Sequence, residues 1–298
     1  MQTPALAGCL TAFGSARPSE GEFVQKCGEA AWRRYDTRQP KFRFTYMPPR
    51  FFSSAPLPRA NFPLTYTLDA AAAQHIRVLR LSVGEALTLF DGAASEPYGE
   101  AAAVITAIDK KSVVVEISMW RSRSTESPVD VSLIQALAVG DKMDFIVQKA
   151  VELGATEIVP LRAARATLKL DAARAEKRVA HWNAVAISAC EQCGRNRVPG
   201  VSDARSLEDA LARAGEQGRR TAILHPEGEI PLLSWAAREP SVPLSLLVGP
   251  EGGFTDHEIA QAVALGATKV TLGPRVLRTE TAGLAALAAI QAILGDLR

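Results

Sequence analysis

The sequence is short of the residues that would place a protein outside the cell or within a membrane. Of 298 residues only 4 are cysteine, at Cys9, Cys27, Cys190 and Cys193. Too few and too unevenly spaced, they exclude a secreted disulfide framework and favour a reducing compartment, the cytoplasm. No apolar run approaches the roughly 18 residues that cross a bilayer, so no membrane span is expected. Net charge is scarce as well: 34 Lys and Arg face 32 Asp and Glu, a formal +2. A chain so balanced does not coat nucleic acid through its total charge, and any nucleic-acid contact must come from local patches. Residues 1–46 lack both a regular period and the apolar stretch of a signal peptide. They are expected to be disordered or untranslated, with Met47 as a natural start.

What is present is a 47% hydrophobic fraction, enough for one large core or two smaller ones, arranged in two different periods. Over residues 64–119 short β-rich runs alternate with turns. Leu87-Thr88-Leu89-Phe90 enters Asp91-Gly92, residues 101–108 are apolar, and residues 113–117 follow Asp109-Lys110-Lys111. This predicts a small barrel-like domain over 47–120 with a helical piece at 69–81. The polar, Ser- and Arg-rich run 121–128 is the candidate linker. From 129 to 298 strands alternate with helices, the pattern of an α/β domain with a parallel sheet. Strands are expected at 131–137, 157–161, 221–224, 244–248 and 269–272. Helices are expected at 142–153, capped by Asp141 and closed by Gly154, at 171–190, and from Ser206 onward.

The last three strands each run into an unusual loop: His225-Pro226-Glu227-Gly228, Gly249-Pro250-Glu251-Gly252-Gly253, and a third running from Gly273-Pro274-Arg275 to Arg278-Thr279-Glu280. Loops at the carboxyl ends of parallel strands are where ligands bind. Glycine there admits a ligand close to the backbone, and proline fixes the loop's shape. The second loop precedes Thr255-Asp256-His257-Glu258, a capping box. Glycine amides at a helix start attract anions, but the loop lacks the Gly-Lys-Ser/Thr ending of a phosphate loop and the spacing of a dinucleotide fingerprint. A tight turn would explain Gly252 and Gly253 and leave Pro250 and Glu251 unexplained. Arg278 and Glu280 could simply pair at a helix start. Two arginines at a glycine-bearing pocket, Arg275 and Arg278, more often hold an anion or stabilise developing negative charge.

Cys190-Glu191-Gln192-Cys193 has no second cysteine pair to complete a zinc site, and His181 falls in the same helix. A redox pair would open a helix, whereas this one closes one. The polar residues around it, Glu191, Gln192, Arg195, Asn196 and Arg197, read as a substrate-facing surface. Arg50, Arg59, Arg77, Arg80, Lys110, Lys111, Arg121 and Arg123 cluster in or beside the small domain, and Arg162, Arg165 and Lys169 follow the second strand of the large one. A face built from several of these would bind RNA in a salt-dependent way.

Three runs together resemble the signatures of the RsmE family, the uridine(1498)-N3-methyltransferases of 16S rRNA in the SPOUT class. They are Gly249-Pro250-Glu251-Gly252-Gly253, Leu272-Gly273-Pro274-Arg275-Val276-Leu277-Arg278-Thr279-Glu280-Thr281-Ala282, and Ala189-Cys190-Glu191-Gln192-Cys193-Gly194-Arg195-Asn196-Arg197-Val198-Pro199. Arg50-Phe51-Phe52, His75-Ile76-Arg77-Val78-Leu79-Arg80 and Leu89-Phe90-Asp91-Gly92 are similar to that family's PUA-like RNA-binding domain. The resemblance runs from about residue 47 to the end.

It implies an α/β SPOUT-type parallel sheet with a C-terminal trefoil knot, an exception to the rule of unknotted chains, beside a small N-terminal PUA-like β-barrel. It also implies a homodimer acting on 16S rRNA in the small ribosomal subunit, with S-adenosyl-L-methionine (SAM) as methyl donor and no metal. By position, SAM would lie against Leu224, Gly249, Pro250, Glu251, Gly252, Gly253, Leu272, Gly273, Arg275, Leu277 and Thr281. Arg278 and Glu280 would be catalytic, and Arg50, Arg77, Arg80, Gln192 and Arg195 would touch RNA. Uridine N3 carries a proton and reacts only as an anion. Arg278 is the candidate to stabilise that anion through a uracil oxygen, and Glu251, Glu280 and His225 are candidates for the base. A SPOUT enzyme acting on tRNA ribose and a non-catalytic RNA-binding assembly factor are the competing readings.

Overall fold

A computed structural model describes residues 48–93, 97–110, 112–168 and 172–297. The expectations for residues 1–46 and for Met47, and the positions of Lys111, Lys169 and Asp171, lie outside the described residues. Alternation of apolar and polar residues sets the first sheet. It comprises β1 (Arg50–Phe52), β2 (Leu64–Thr67), β3 (Ala86–Phe90), β4 (Gly99–Ile108) and β5 (Val113–Ser122), in the order β1-β3-β4-β5-β2. Val113, Val115 and Ile117 turn inward and are fully buried, whereas Glu116 between them faces out. Helix α1 (Ala70–Val78) lays Ala72, Ala73 and Ile76 on the same core. Asp69 caps it, its carboxylate accepting from Ala72 N at 2.9 Å. The edge strands β1 and β2 share no ladder, but the Ser53 hydroxyl just after β1 bonds the Tyr66 hydroxyl of β2 at 2.9 Å. The sheet therefore curls until its edges meet through side chains, which is the barrel-like form expected.

The second sheet has the order β10-β12-β9-β11-β6-β7-β8, and every ladder in it is parallel. Its strands are β6 (Val131–Ala136), β7 (Glu157–Leu161), β8 (Gly200–Val201), β9 (Arg220–Leu224), β10 (Ile230–Pro231), β11 (Leu244–Val248) and β12 (Thr268–Thr271). The central strands β6 and β11 are buried at every position, as a sheet covered on both faces requires. Helices α2 (Lys142–Glu152), α3 (Ala172–Cys193), α5 (Leu232–Ala236) and α7 (Thr279–Ile293) cover one face, meeting Val131 and Leu133. Helices α4 (Leu207–Glu216) and α6 (Asp256–Ala264) cover the other, meeting Ile134 and Ala136.

Boundaries depart from expectation in three places. Strand β5 runs on through Arg121 and Ser122, into the expected linker. Helix α3 continues to Cys193, so both cysteines lie in its final turn. Asp141 precedes α2 and accepts from Phe145 N through its carbonyl, but its side chain makes no cap bond, its backbone being held near φ −80° and ψ 1° rather than in the extended form that aims a capping side chain.

The two sheets are joined by buried charge. Glu100 in β4 is wholly enclosed and accepts from Arg50, from Arg121 (Nε at 2.8 Å) and from Arg123 (Nη1 at 3.2 Å). Burial pushes its carboxyl up, but Arg50 and Arg123 outweigh that and hold it below the ordinary 4.5. Arg50 then reaches across to Asn196 Oδ1 at 2.7 Å, and Asn196 returns a bond to Arg123 O at 3.0 Å. Arg195 is 4% exposed, gripping Glu126 through Nε (2.9 Å) and Nη2 (2.6 Å) and donating from Nη1 to the carbonyls of Val151 and Ala155.

Arg50 and Arg195, expected to touch RNA, are thus corrected to internal braces, because their guanidiniums are buried and spent on protein partners. Arg77 is half-buried and donates to Asp109 O at 2.9 Å, and Arg80 and Gln192 are exposed. Glu100→Gln keeps the shape and deletes the charge, leaving Arg50 buried without its counter-ion. Urea unfolding should show a loss of about 3 kcal/mol, the low end for a broken buried pair because Arg121 and Arg123 are half exposed. The depressed carboxyl contributes stability above its unfolded value and loses it as pH falls, so the gap between wild type and variant should close in acid.

Candidate functional site

At the carboxyl end of the parallel sheet the loops after β9, β11 and β12 converge on a cleft of about 580 Å³. A smaller hollow of about 70 Å³ adjoins it, sharing Leu224, His225 and Leu277. The convergence follows from strand order. Strands β9 and β10 are consecutive in the chain, yet β12 lies between them, so the loop 225–229 must cross the backbone at the end of β12. Gly228 makes that crossing possible: a Cβ there would sit 2.3 Å from Val270 C and 2.6 Å from Thr271 N. At the exit of β12, Gly273 takes φ +106°, turning the chain back toward the cleft.

The main cleft is lined by Leu224, the whole run 249–253, Leu277, Arg278 and Glu280, and the smaller hollow by Leu272, Gly273 and Arg275. Thr281 is the exception among the expected donor-site residues. It is exposed on the first turn of α7 and lines neither hollow. Thr279 turns inward, and two residues further on the helix points to the opposite side.

Four residues of the site were not legible as such. Phe254 and Val276 line the cleft. Lys142, at the start of α2, places its ammonium 3.1 Å from Glu251 and 3.3 Å from Glu280. Burial pushes the Glu251 carboxyl up, but backbone hydrogen bonds, with Lys142, bring it below its ordinary 4.5. The hydrogen bond to Glu251 raises Lys142 in turn. Thr279 carries the fourth contact, its hydroxyl donating to Gly249 O at 2.6 Å. Gln135, buried near the carboxyl end of β6, donates to that same hydroxyl at 2.9 Å. A glutamine inside a wholly buried apolar strand was the one available signal, since such a group needs a partner.

The loop after β11 is further braced by its helix. Thr255 and Glu258 form the capping box, with Thr255 N to Glu258 Oε2 at 2.8 Å and Glu258 N to Thr255 Oγ1 at 3.2 Å. Arg165 donates to Gly252 O at 3.2 Å. Glu280 pairs with Lys142 rather than with Arg278, and neither Arg275 nor Arg278 has an ion pair or hydrogen-bonded side-chain partner among the described residues. His225 Nδ1 accepts from Glu227 N at 3.1 Å, which leaves the ring proton on Nε2. Among the described residues no group of three or more His, Cys, Asp and Glu side chains could hold a metal ion. Burial pushes the Cys190 thiol up to about 12, which makes it a poor nucleophile and ligand.

This architecture, a parallel α/β domain with glycine loops at its strand ends beside a small β domain, is matched over most of its length by RNA methyltransferase families. Residues 125–291 match the family described as "RNA methyltransferase domain" and residues 68–118 the one described as "RNA methyltransferase PUA domain". The chain belongs to the ribosomal RNA small subunit methyltransferase E family. It is 34% identical over 232 residues to the Bacillus subtilis protein of that name, which covers 76% of this chain and 89% of the relative. The Neisseria gonorrhoeae enzyme of the same name, solved bound to S-adenosyl methionine, is 39% identical with a TM-score of 0.77 over 84% of this chain and all 100% of that one. A putative methyltransferase from Legionella pneumophila, solved in complex with SAM, is 36% identical with a TM-score of 0.76, covering 84% of this chain and 99% of that one.

The crossing at Gly228 gives a direct test of this site. Gly228→Ala forces the loop off β12 and should lower stability by about 1–3 kcal/mol, the usual cost of overpacking. A denaturation midpoint equal to that of the wild type would refute the close crossing.

Proposed function

We propose that the chain transfers the methyl group of SAM to N3 of uridine 1498 in the 16S rRNA of the small ribosomal subunit. One observation carries the reading: an arginine without a protein partner, Arg278, and a held carboxylate, Glu280, share a cleft floored by three glycine-bearing loops. The cleft fits the donor. Leu224, Val248 and Leu277 give one part an apolar lining for a flat ring, while the run 249–253, Lys142 and Glu251 give another part backbone and charge for a polar chain. When bound, SAM supplies an electrophilic methyl group on a positively charged sulfur.

The remaining chemistry belongs to the protein. Arg278 donates to a uracil oxygen, where the charge of the N3 anion accumulates. Glu280 accepts the N3 proton. It is favoured over the other two candidates because it stands two residues from Arg278 on the same wall of the cleft and its carboxylate meets only the Lys142 ammonium, at 3.3 Å, among the described residues, whereas Glu251 is bonded by both Val139 N and Lys142, and His225 Nδ1 by Glu227 N. The loops and the first turn of α7 hold Arg278 and Glu280 in fixed positions on the cleft wall, and such positioning would supply much of the acceleration.

Residues 47–120 then serve as the PUA-like RNA-binding domain, joined through 121–128 to the methyltransferase domain of 129–298, with the exposed Arg80 and Gln192 and the half-buried Arg77 as the RNA contacts. The trefoil knot belongs to this reading, supported by the placement of β12 between the consecutive strands β9 and β10. So does the homodimer. Beyond Thr281, helix α7 is apolar on its outer side as well, where Ala285, Ala288 and Ala292 lie opposite Ala286, Leu287 and Ile290; Ile293 is 39% exposed, and Phe145 of the neighbouring α2 is 48% exposed. No helix among the described residues is long and apolar enough to cross a membrane, and a cytoplasmic location follows from the ribosomal substrate.

The test uses small ribosomal subunits from a strain lacking the activity, labelled SAM, and mass spectrometry of the digested rRNA. N3-methyluridine is the expected product, and any other methylated nucleoside overturns the assignment. Arg278→Ala should reduce turnover by on the order of 10²-fold or more with an unchanged melting temperature. Undiminished turnover would remove Arg278 from the mechanism.

A further inference from the structure

Thr279 separates Arg278 from Glu280 in the first turn of α7, and its side chain is used by neither the donor nor the base in the reading above. It is buried, and its hydroxyl is fully committed. It accepts from Gln135 Nε2 at 2.9 Å and donates to Gly249 O at 2.6 Å. An amide nitrogen can only donate, so the single hydroxyl proton of Thr279 must point at Gly249. The contact is therefore directional, and it joins the turn carrying Arg278 and Glu280 to the first residue of the loop after β11.

Gln135 is held at a cost. Its side chain is entirely buried, Nε2 also donates to Ala136 O at 3.1 Å, and no donor among the described residues reaches Oε1. A buried acceptor left without a donor is destabilising, and the positions around it on β6 are filled by Leu133, Ile134 and Ala136. An apolar residue would satisfy the core equally well. What the glutamine adds is its two donated bonds, to Ala136 O and to the Thr279 hydroxyl.

We propose that Gln135 and Thr279 are positioning residues for methyl transfer. Their buried hydrogen-bond chain holds the Arg278–Glu280 turn in register with the loop 249–253, so that the groups acting on the uridine are fixed against the loop that receives the donor. This rests on the function proposed above. A second tie between the same two segments exists at the surface, where Lys142 meets Glu251 and Glu280, but it is half exposed and charged. The inner tie is neutral and dry. Displacement of reacting groups by 1 Å can cost on the order of 10²-fold in rate, whereas donor binding is spread over many backbone contacts and tolerates such a shift.

Thr279→Val is nearly isosteric and removes only the hydroxyl. It should lower kcat about 10-fold or more with subunits and SAM saturating, while the calorimetric Kd for SAM changes less than about threefold and the melting temperature shifts by a few degrees at most. Thr279→Ser keeps the hydroxyl and should restore most of the rate. Gln135→Met leaves the Thr279–Gly249 bond in place but frees its direction, and should show the same split between kcat and Kd in smaller measure. It also supplies the comparison should Thr279→Val fold poorly. An unchanged kcat, or a loss no larger than the loss of SAM affinity or of folded protein, overturns the positioning role. A wild type that forms no N3-methyluridine overturns the functional reading. A wild type that forms it beside an equally fast Thr279→Val overturns the positioning role alone.

Discussion

The site depends on where one short strand sits. Strand β12 enters the sheet between β9 and β10, which the chain had already laid down as near neighbours, and the loop joining those two must pass over the new strand's backbone. Such a crossing leaves no room for a side chain, and the residue at the contact is Gly228. Because the crossing pins the end of β12, the segment leaving it is directed back over β9 and β11. Residues 272–280 then lie beside the loops of both. Three segments far apart in sequence acquire a common cleft through one backbone contact, and the apolar strands beneath, buried on both faces, give that cleft a rigid floor.

Arginines show how far sequence alone can carry such an argument. Arg50, Arg195, Arg275 and Arg278 all stand in motifs shared with the family, and nothing local separates them. The fold does. Arg50 and Arg195 fall between the two sheets, where an uncompensated guanidinium would be too costly, and each has acquired a carboxylate: Glu100 for one and Glu126 for the other. Arg275 and Arg278 fall at the mouth of the cleft, where water pays for solvation and no carboxylate is needed. The partner that decides an arginine's role lies 50 residues away for Arg50 and 69 for Arg195, a separation no local pattern reports.

The strands of the large sheet were the most legible part. Expected ranges 157–161 and 244–248 match β7 and β11, because short apolar runs bounded by glycine, proline and charge have few alternatives. The loops that line the cleft were legible for the same reason, through glycine and proline at strand ends. Their mutual bonding was not. Lys142 read only as a helix start, and Gln135 and Thr279 are 144 residues apart. Thr281 was misplaced by helical phase: in a run where Arg278 and Glu280 face the cleft, the inward turn of Thr279 sends residue 281 outward to solvent. The Cys-Gly-Arg-Asn run failed in another way. Its polarity suggested a surface, but its carbonyls and amides bond the strand exit, as in Thr125 Oγ1 to Gly194 O at 2.9 Å and Arg197 N to Glu126 Oε1 at 3.2 Å.

The two ties across the cleft differ in a way that bears on the chemistry proposed for it. Deprotonating a uridine beside a cationic donor puts charges of both signs into a small volume, and each changes during the reaction. A tie made of charges would respond to those changes, to salt and to pH. The Lys142 contact does so, since Glu251 is held below its ordinary value partly by that ammonium, and the contact is lost as pH falls through the depressed value. A neutral hydrogen bond in a dry interior does not respond to any of them. If the register of the turn 278–280 were set by Lys142 alone, the site's geometry would shift with the charge it is meant to stabilise. Placing that register on Gln135, Thr279 and Gly249 leaves Arg278 and Glu280 free to change partner without moving the frame that holds them.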